Sequence, residues 1–265
     1  MTERIQKVLA RAGLGSRREV ERWIRQGRVT VNNQPAELGQ QIDPSCQVVV
    51  DGRSVALAST PSAPARILLY HKPVGQICSR DDPQGRPTVF DNLPRLRGGR
   101  WVSVGRLDLN TSGLLVFTTD GELAHQLMHP SGGIEREYRC RVRGNPGERE
   151  LKRLLAGVTL GGQLCRFESV EAGRGSGANR WFRVILKEGR NREVRRMWQS
   201  VNSTVSRLIR VRYGPFRLER QHGAGECIEL SESQSAKLLH HAGGTKASAR
   251  LQKSGRKRPG MGHGR

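Results

Sequence analysis

WVSVGRLDLNTSGLLVFTTDGELAHQLM, residues Trp101 to Met128, carries a strand–loop–strand–helix pattern from which the rest of the chain can be read. Trp101 to Val104 is short, apolar and β-branched and stops at Gly105, which predicts a buried strand. Leu114 to Phe117 predicts a second. Between them, Arg106 to Gly113 is a polar loop holding one carboxylate, Asp108. Thr119 and Glu122 have the spacing of a capping box, and Leu123, Leu127 and Met128 follow at helical intervals. A carboxylate buried without a partner costs several kcal/mol, so Asp108 needs a reason to be there. Either it organises a turn by accepting the N–H groups of Asn110 and Thr111, or it is held for chemistry.

Composition narrows the partners. The 265 residues suffice for one large or two modest domains. Lys and Arg outnumber Asp and Glu 46 to 24, a formal charge of +22, and such an excess attracts a polyanion. No run of 18 apolar residues exists, so no membrane span is expected, and Met1 leads into an amphipathic pattern without a signal-peptide core. The five cysteines (46, 78, 140, 165 and 227) are scattered and never form a C-x-x-C pair. That argues against a disulfide framework and a zinc site and suits a reducing cytoplasm. The seven histidines show no ligand spacing, so no metal or cofactor is expected.

Before the central stretch, Ile5, Val8, Leu9 and Ala12 predict a helix stopped by Gly13. Ser16 and Glu19 form a capping box for a second helix striped by Val20, Trp23 and Ile24. Arg18, Arg22 and Arg25 fall on one ridge of that helix, with Arg11 and Arg17 nearby; a charge ridge is either a solvated face or a phosphate contact. Val29–Val31 reads as a strand turning at Asn32-Asn33, and Val48–Val50 with Val55–Leu57 as a hairpin. Residues 59–65, small and polar with two prolines from 58 to 65, read as a linker. Ile67–Tyr70 is a strand whose direction Pro73 fixes after Lys72, and residues 79–100 are a long loop rich in Pro, Gly and Arg.

After it, Ile134 to Val142 alternates, with Tyr138 inward and Arg136 interrupting the apolar face. Residues 146–156 read as a helix, 157–168 as short strands, 173–179 as a flexible turn and Trp181–Leu186 as a strand. Val194, Met197, Trp198 and Val201 form a helical stripe with Arg195 at its edge, where a guanidinium could reach a buried carboxylate. Val205–Tyr213 alternates again, and Cys227–Leu230 with a helix over 232–241 closes the domain. Residues 242–265 carry seven Lys or Arg and no acid, the composition of a disordered basic tail. Alternating strands mixed with short helices, without a βαβ repeat, predict an α+β fold with a largely antiparallel sheet.

Several phrases bear a family resemblance. Gly105-Arg-Leu-Asp108-x-x-Thr-Ser-Gly-Leu-Leu115 resembles the active-site motif of the RsuA/RluB/RluE/RluF family of pseudouridine synthases. His71-Lys-Pro-Val-Gly75 resembles its first motif, and Glu188-Gly-Arg-Asn-Arg-Glu-Val-Arg-Arg-Met197 its third. The segment with Leu9-Ala-x-Ala-Gly-x-Gly-Ser-Arg-Arg18 resembles the S4 RNA-binding domain. The resemblance implies an S4-like module (1–58), a linker (59–65), a synthase domain (66–241) with a bisected mixed sheet, and the tail (242–265). It makes Asp108 the nucleophile, Tyr138 the aromatic stacked on the target base, and Arg195 the partner of Asp108. Arg11, Arg17, Arg18, Arg22, Arg25, Arg106, Arg192 and Arg196 become candidate RNA contacts. The implied substrate is a uridine in 23S rRNA, in a stem-loop near the peptidyl-transferase centre or in a large-subunit assembly intermediate, acted on by a monomer. Two other readings stay open: a sister enzyme for another 23S or 16S site, and a non-catalytic RNA-binding assembly factor. The second would have no need of the Asp108, Tyr138 and Arg195 set. A glycoside hydrolase would want two carboxylates at the site, and the loop offers one.

Overall fold

The computed structural model describes residues 2–57, 65–96, 99–176 and 179–241, which fall into two units. The linker and the basic tail lie almost wholly outside the described residues.

The first unit comprises residues up to 65 with 95–102 and 119–121. Its elements are β1 (Glu3–Arg4), α1 (Ile5–Arg11), α2 (Arg17–Arg25), β2 (Val29–Val31), β3 (Gln34–Pro35), β4 (Gln41–Ile42), β5 (Val48–Val50) and β6 (Arg53–Val55). Strands order as β3-β2-β5-β6, and β1 pairs with β4. Both hairpins turn through two residues of positive φ, Asn32-Asn33 (50° and 64°) and Asp51-Gly52 (50° and 75°). That geometry matches strand twist and favours Asn, Asp and Gly. The expected capping box is present: Ser16 Oγ accepts the Glu19 N–H at 3.0 Å, and Glu19 Oε2 accepts that of Ser16 at 2.9 Å. Ile5, Leu9, Val20 and Ile24 are buried against Val29, Val31, Ile42 and Val48. Ala12, expected on the apolar stripe, is exposed, because α1 ends one residue earlier. Arg17, Arg18, Arg22 and Arg25 are solvent-exposed, and Arg11 pairs with Glu3 at 2.6 Å.

The second unit contains β7 (Ile67–Lys72), β8 (Val102–Val104), β9 (Thr111–Thr118), α3 (Gly121–Met128), β10 (Arg136–Arg143), α4 (Glu148–Ala156), β11 (Val158–Leu160) and β12 (Gln163–Cys165). It continues with β13 (Ser169–Ser176), β14 (Asn179–Leu186), α5 (Glu193–Gln199), β15 (Thr204–Tyr213), β16 (Phe216–Arg217), β17 (Cys227–Glu229) and α6 (Glu232–His241). The main sheet runs β13-β14-β10-β15-β9-β7-β17, with β8 on β9 and β16 on β15. β13, β14, β10 and β15 pair antiparallel in turn, β9 joins β15 in parallel, and β7 and β17 return to antiparallel pairing. The fold is therefore the expected α+β one, a mixed and largely antiparallel sheet.

Expected strands Val55–Leu57 and Trp101–Val104 are instead Arg53–Val55 and Val102–Val104, and two further stretches differ more deeply. The second strand of the central motif begins at Thr111, not Leu114, and all eight of its residues are buried. Gly113 thus sits inside a strand, with φ +108°, and a Cβ there would lie 2.2 Å from the Arg210 carbonyl oxygen. β9 and β15 approach too closely for any side chain at that point. The turn expected over 173–179 is instead strand through Ser176, carried past its glycines by a register shift between Ala172 and Gly175.

Candidate active site

The loop between β8 and β9, Gly105 to Asn110, is fixed by its backbone. Gly105 opens it with φ +79°. Buried Leu107 anchors it, with its N–H and carbonyl each 3.4 Å from Cys78 Sγ. The turn closes through main chain, Thr111 N–H donating to the Asp108 carbonyl at 3.0 Å. No hydrogen bond engages the Asp108 carboxylate among the described residues, so the Asx-turn reading has no support here. The side chain is half-buried and lines a cleft of ≈ 660 Å³.

Two buried cations hold the loop from separate elements. Lys72, 0% exposed at the end of β7, donates from Nζ to the carbonyls of Pro73 and Thr111, each at 2.9 Å, and to that of Leu109 at 3.5 Å. Arg195, 9% exposed on α5, donates from Nη2 to the Asn110 carbonyl at 2.8 Å and from Nη1 to that of Val205 at 2.9 Å. Burial pushes both groups below their ordinary pKa, and the Asp108 charge opposes that push in each. The direct Arg195–Asp108 pair expected from the sequence is not formed among the described residues. Both terminal nitrogens of Arg195 are spent on carbonyls.

Tyr138, 8% exposed on β10, faces the same cleft as Asp108, as does Thr111. Arg106 and Arg192 are exposed and also line it. Arg192 sits in the left-handed region, φ 49°, at the head of α5. Arg196 lies on the exposed side of α5 and is not part of the cleft wall. Arg11, Arg17, Arg18, Arg22 and Arg25 belong to the first unit.

Sequence reasoning assigned no site role to Arg136, Arg210 or Tyr213, all of which line the cleft. Arg136 is 7% exposed, with Nη1 donating to the carbonyls of Ile134 at 2.7 Å and Lys187 at 2.6 Å. Arg210 is 2% exposed, and its Nε donates to the Leu114 carbonyl at 2.8 Å. Both guanidiniums lie over the Tyr213 ring at 5.0 Å, while the Tyr213 hydroxyl donates to the Leu127 carbonyl at 2.8 Å. The usable signal was an arginine at an inward position of an alternating strand, which occurs in both β10 and β15. Among the described residues, no group of three or more His, Cys, Asp or Glu side chains could hold a metal ion.

Comparison with known proteins adds to this geometry. Residues 66–200 match the family model described as RNA pseudouridylate synthase, and residues 3–49 match the S4 domain. The chain is 50% identical over 242 residues to the ribosomal large subunit pseudouridine synthase B of Pseudomonas aeruginosa, covering 91% of this chain and 63% of that protein. It is 53% identical over 235 residues to the protein of the same name from Vibrio cholerae, covering 88% of this chain and 73% of the relative. A crystal structure of a pseudouridylate synthase superposes with a TM-score of 0.61 at 25% identity, covering 89% of this chain and 99% of the other.

Proposed function

Because the chain belongs to the RNA pseudouridylate synthase family and carries an S4 domain, we propose that it converts a uridine of large-subunit ribosomal RNA to pseudouridine. The finer target is a uridine in a 23S rRNA stem-loop near the peptidyl-transferase centre, which implies work in the cytoplasm. Half-identity to relatives named for the large subunit supports the rRNA choice. One observation carries the assignment of the site: the Asp108 carboxylate is left unused by its own loop and lines a cleft beside Tyr138, while Lys72 and Arg195 both hold the backbone that follows it, at Leu109, Asn110 and Thr111.

The isomerisation breaks N1–C1′, turns the uracil, forms C5–C1′, and moves the C5 proton so that N1 ends protonated. The base must first leave its stack, and stacking on an aromatic ring, worth about 1–3 kcal/mol per base, offsets part of that expense. Tyr138, which lines the cleft with Asp108, is assigned this contact. Asp108 acts at the sugar, either attacking C1′ or removing the C2′ proton. Arg195 is a positioning residue: it fixes the carbonyl of Asn110, two residues from the carboxylate. Arg106 and Arg192 meet the phosphates at the cleft. In this scheme residues 1–58 grip RNA and residues 66–241 carry out the reaction, in a single subunit.

The test is 23S rRNA from cells lacking the protein, incubated with wild type or Asp108→Asn and mapped for pseudouridine. Wild type is expected to create one site, and the variant to lose activity by about 10⁴-fold or more. Equal activity in both would remove the Asp108 carboxylate from the reaction. Tight 23S binding with no new site from either protein would move 16S rRNA, or the assembly-factor reading, to the front.

A further inference from the structure

The half-sheet β13-β14-β10-β15 has two unlike faces. Tyr138, Cys140 and Val142 of β10 point into the core and cleft, while Arg139, Arg141 and Arg143 alternate with them and are solvent-exposed. On the neighbouring strands the same outer face carries Trp181 and Arg183 of β14 and Arg207 of β15. Register places like charges opposite one another. Arg139 pairs across the strands with Arg183, and Arg141 with Arg207. Facing like charges destabilise an antiparallel sheet, so this arrangement does not serve the fold.

Nor do nearby acids cancel it. Glu137 and Glu171 are the carboxylates that meet the arginines just named, and both meet Arg183. Glu137 is shared between Arg183 at 3.2 Å and Arg212 at 2.9 Å, and Glu171 meets Arg183 at 3.7 Å. Arg139, Arg141, Arg143 and Arg207 have no carboxylate partner among the described residues. Arg141 instead donates to Ser206 Oγ at 3.0 Å, and the Arg139 guanidinium lies 5.3 Å over the Trp181 ring, half-buried beneath it. Stacking of this kind holds a guanidinium in place while leaving its N–H groups free for an anion. Along β10 the three arginines span roughly 13 Å, a reach of several backbone phosphates.

We propose that this outer sheet face is a second RNA-docking surface. It binds the phosphodiester backbone of a ribosomal RNA segment other than the one entering the cleft, which opens on the opposite face of the same strands. A second copy of the chain does not fit, since its own formal charge is +22. Phosphate contacts of this sort add affinity and salt dependence without sequence choice. The surface therefore favours long, folded rRNA over an isolated stem-loop.

The experiment uses the full chain with Arg139, Arg143 and Arg207 all changed to Gln, and a second variant with the same three changed to Lys. Binding to purified 23S rRNA and to a short RNA hairpin is followed across a salt titration. For 23S rRNA, the Gln variant should flatten the slope of log affinity on log salt by about 2–3, at about 0.7–0.9 per lost phosphate contact. Hairpin binding should stay unchanged, the Lys variant should keep most of the slope, and the melting midpoint should hold or rise. Superimposable 23S slopes for wild type and the Gln variant would overturn the proposal, as would a melting loss large enough to explain the weaker binding. Pseudouridine formation is scored in the same tubes. A changed slope without any product would keep this surface while removing the catalytic reading, and normal product with an unchanged slope would do the reverse.

Discussion

Lys72 is a buried cation with no carboxylate partner among the described residues, and its stability there comes from carbonyls. An ammonium has three N–H donors, and Pro73, Leu109 and Thr111 supply three acceptors. Lys72→Met would keep the volume and strip all three bonds, releasing the backbone on the C-terminal side of Asp108. Turnover should fall by about 10²-fold, the cost of a shift near 1 Å in a reacting group, with RNA affinity unchanged. An unaltered kcat would show that the loop holds without it. The pH dependence has a definite sign. Burial lowers the Lys72 pKa in the folded state, so the unfolded chain binds that proton more readily between the lowered value and the ordinary 10.5. Wild-type stability relative to Lys72→Met should therefore rise with pH through that window, measured as denaturation midpoints of the two proteins. In the sequence, this lysine was overshadowed by Pro73, whose effect on chain direction is local and legible. What Lys72 touches lies 37 and 39 residues away in the chain, which no local pattern reveals.

At the scale of elements, the parallel meeting of β9 and β15 joins the two halves of the sheet, and Gly113 permits it. Any other residue would put a Cβ against the Arg210 backbone and would have to adopt φ +108°. Gly113→Ala should therefore destabilise the second unit by about 3–5 kcal/mol, well beyond the usual cost of a point change. A loss below about 1 kcal/mol in chemical denaturation would mean that the strands can part without penalty. The same crossing explains what the sequence hid. Where a strand is buried on both faces its residues need not alternate, and Thr111-Ser112-Gly113 then reads as loop although it is buried strand. Strands with one wet face, β10 and β15, were legible from alternation, α2 from its cap and stripe, and α5 from its stripe. β13 was not, because its glycines mimic a turn and only the ladder to β14 extends it. The candidate site was legible as a motif in its loop, while its supports, Lys72 and Arg210, depended on packing.

For the whole molecule, an excess of 22 positive charges is too large for one contact to use, and described arginines gather at separate places, among them the α2 ridge, the cleft and the outer sheet face. Composition announced a polyanion, but the division of labour needs coordinates, since it depends on which face of each element reaches solvent. The ridge is the simplest to isolate. Arg18, Arg22 and Arg25 are exposed, and the Ser16–Glu19 capping box that starts the helix uses none of their side chains, so changing all three to Gln should leave folding within about 0.5 kcal/mol per site. If the S4 unit supplies affinity and the synthase unit supplies chemistry, the substitutions remove binding that is equal in ground and transition states. KM for rRNA should then rise by about tenfold or more at moderate salt, with kcat at saturating RNA unchanged and a shallower salt slope. A fall in kcat with an unaltered KM would mean instead that the ridge orients the target uridine in the cleft, and that the two units act on one contact.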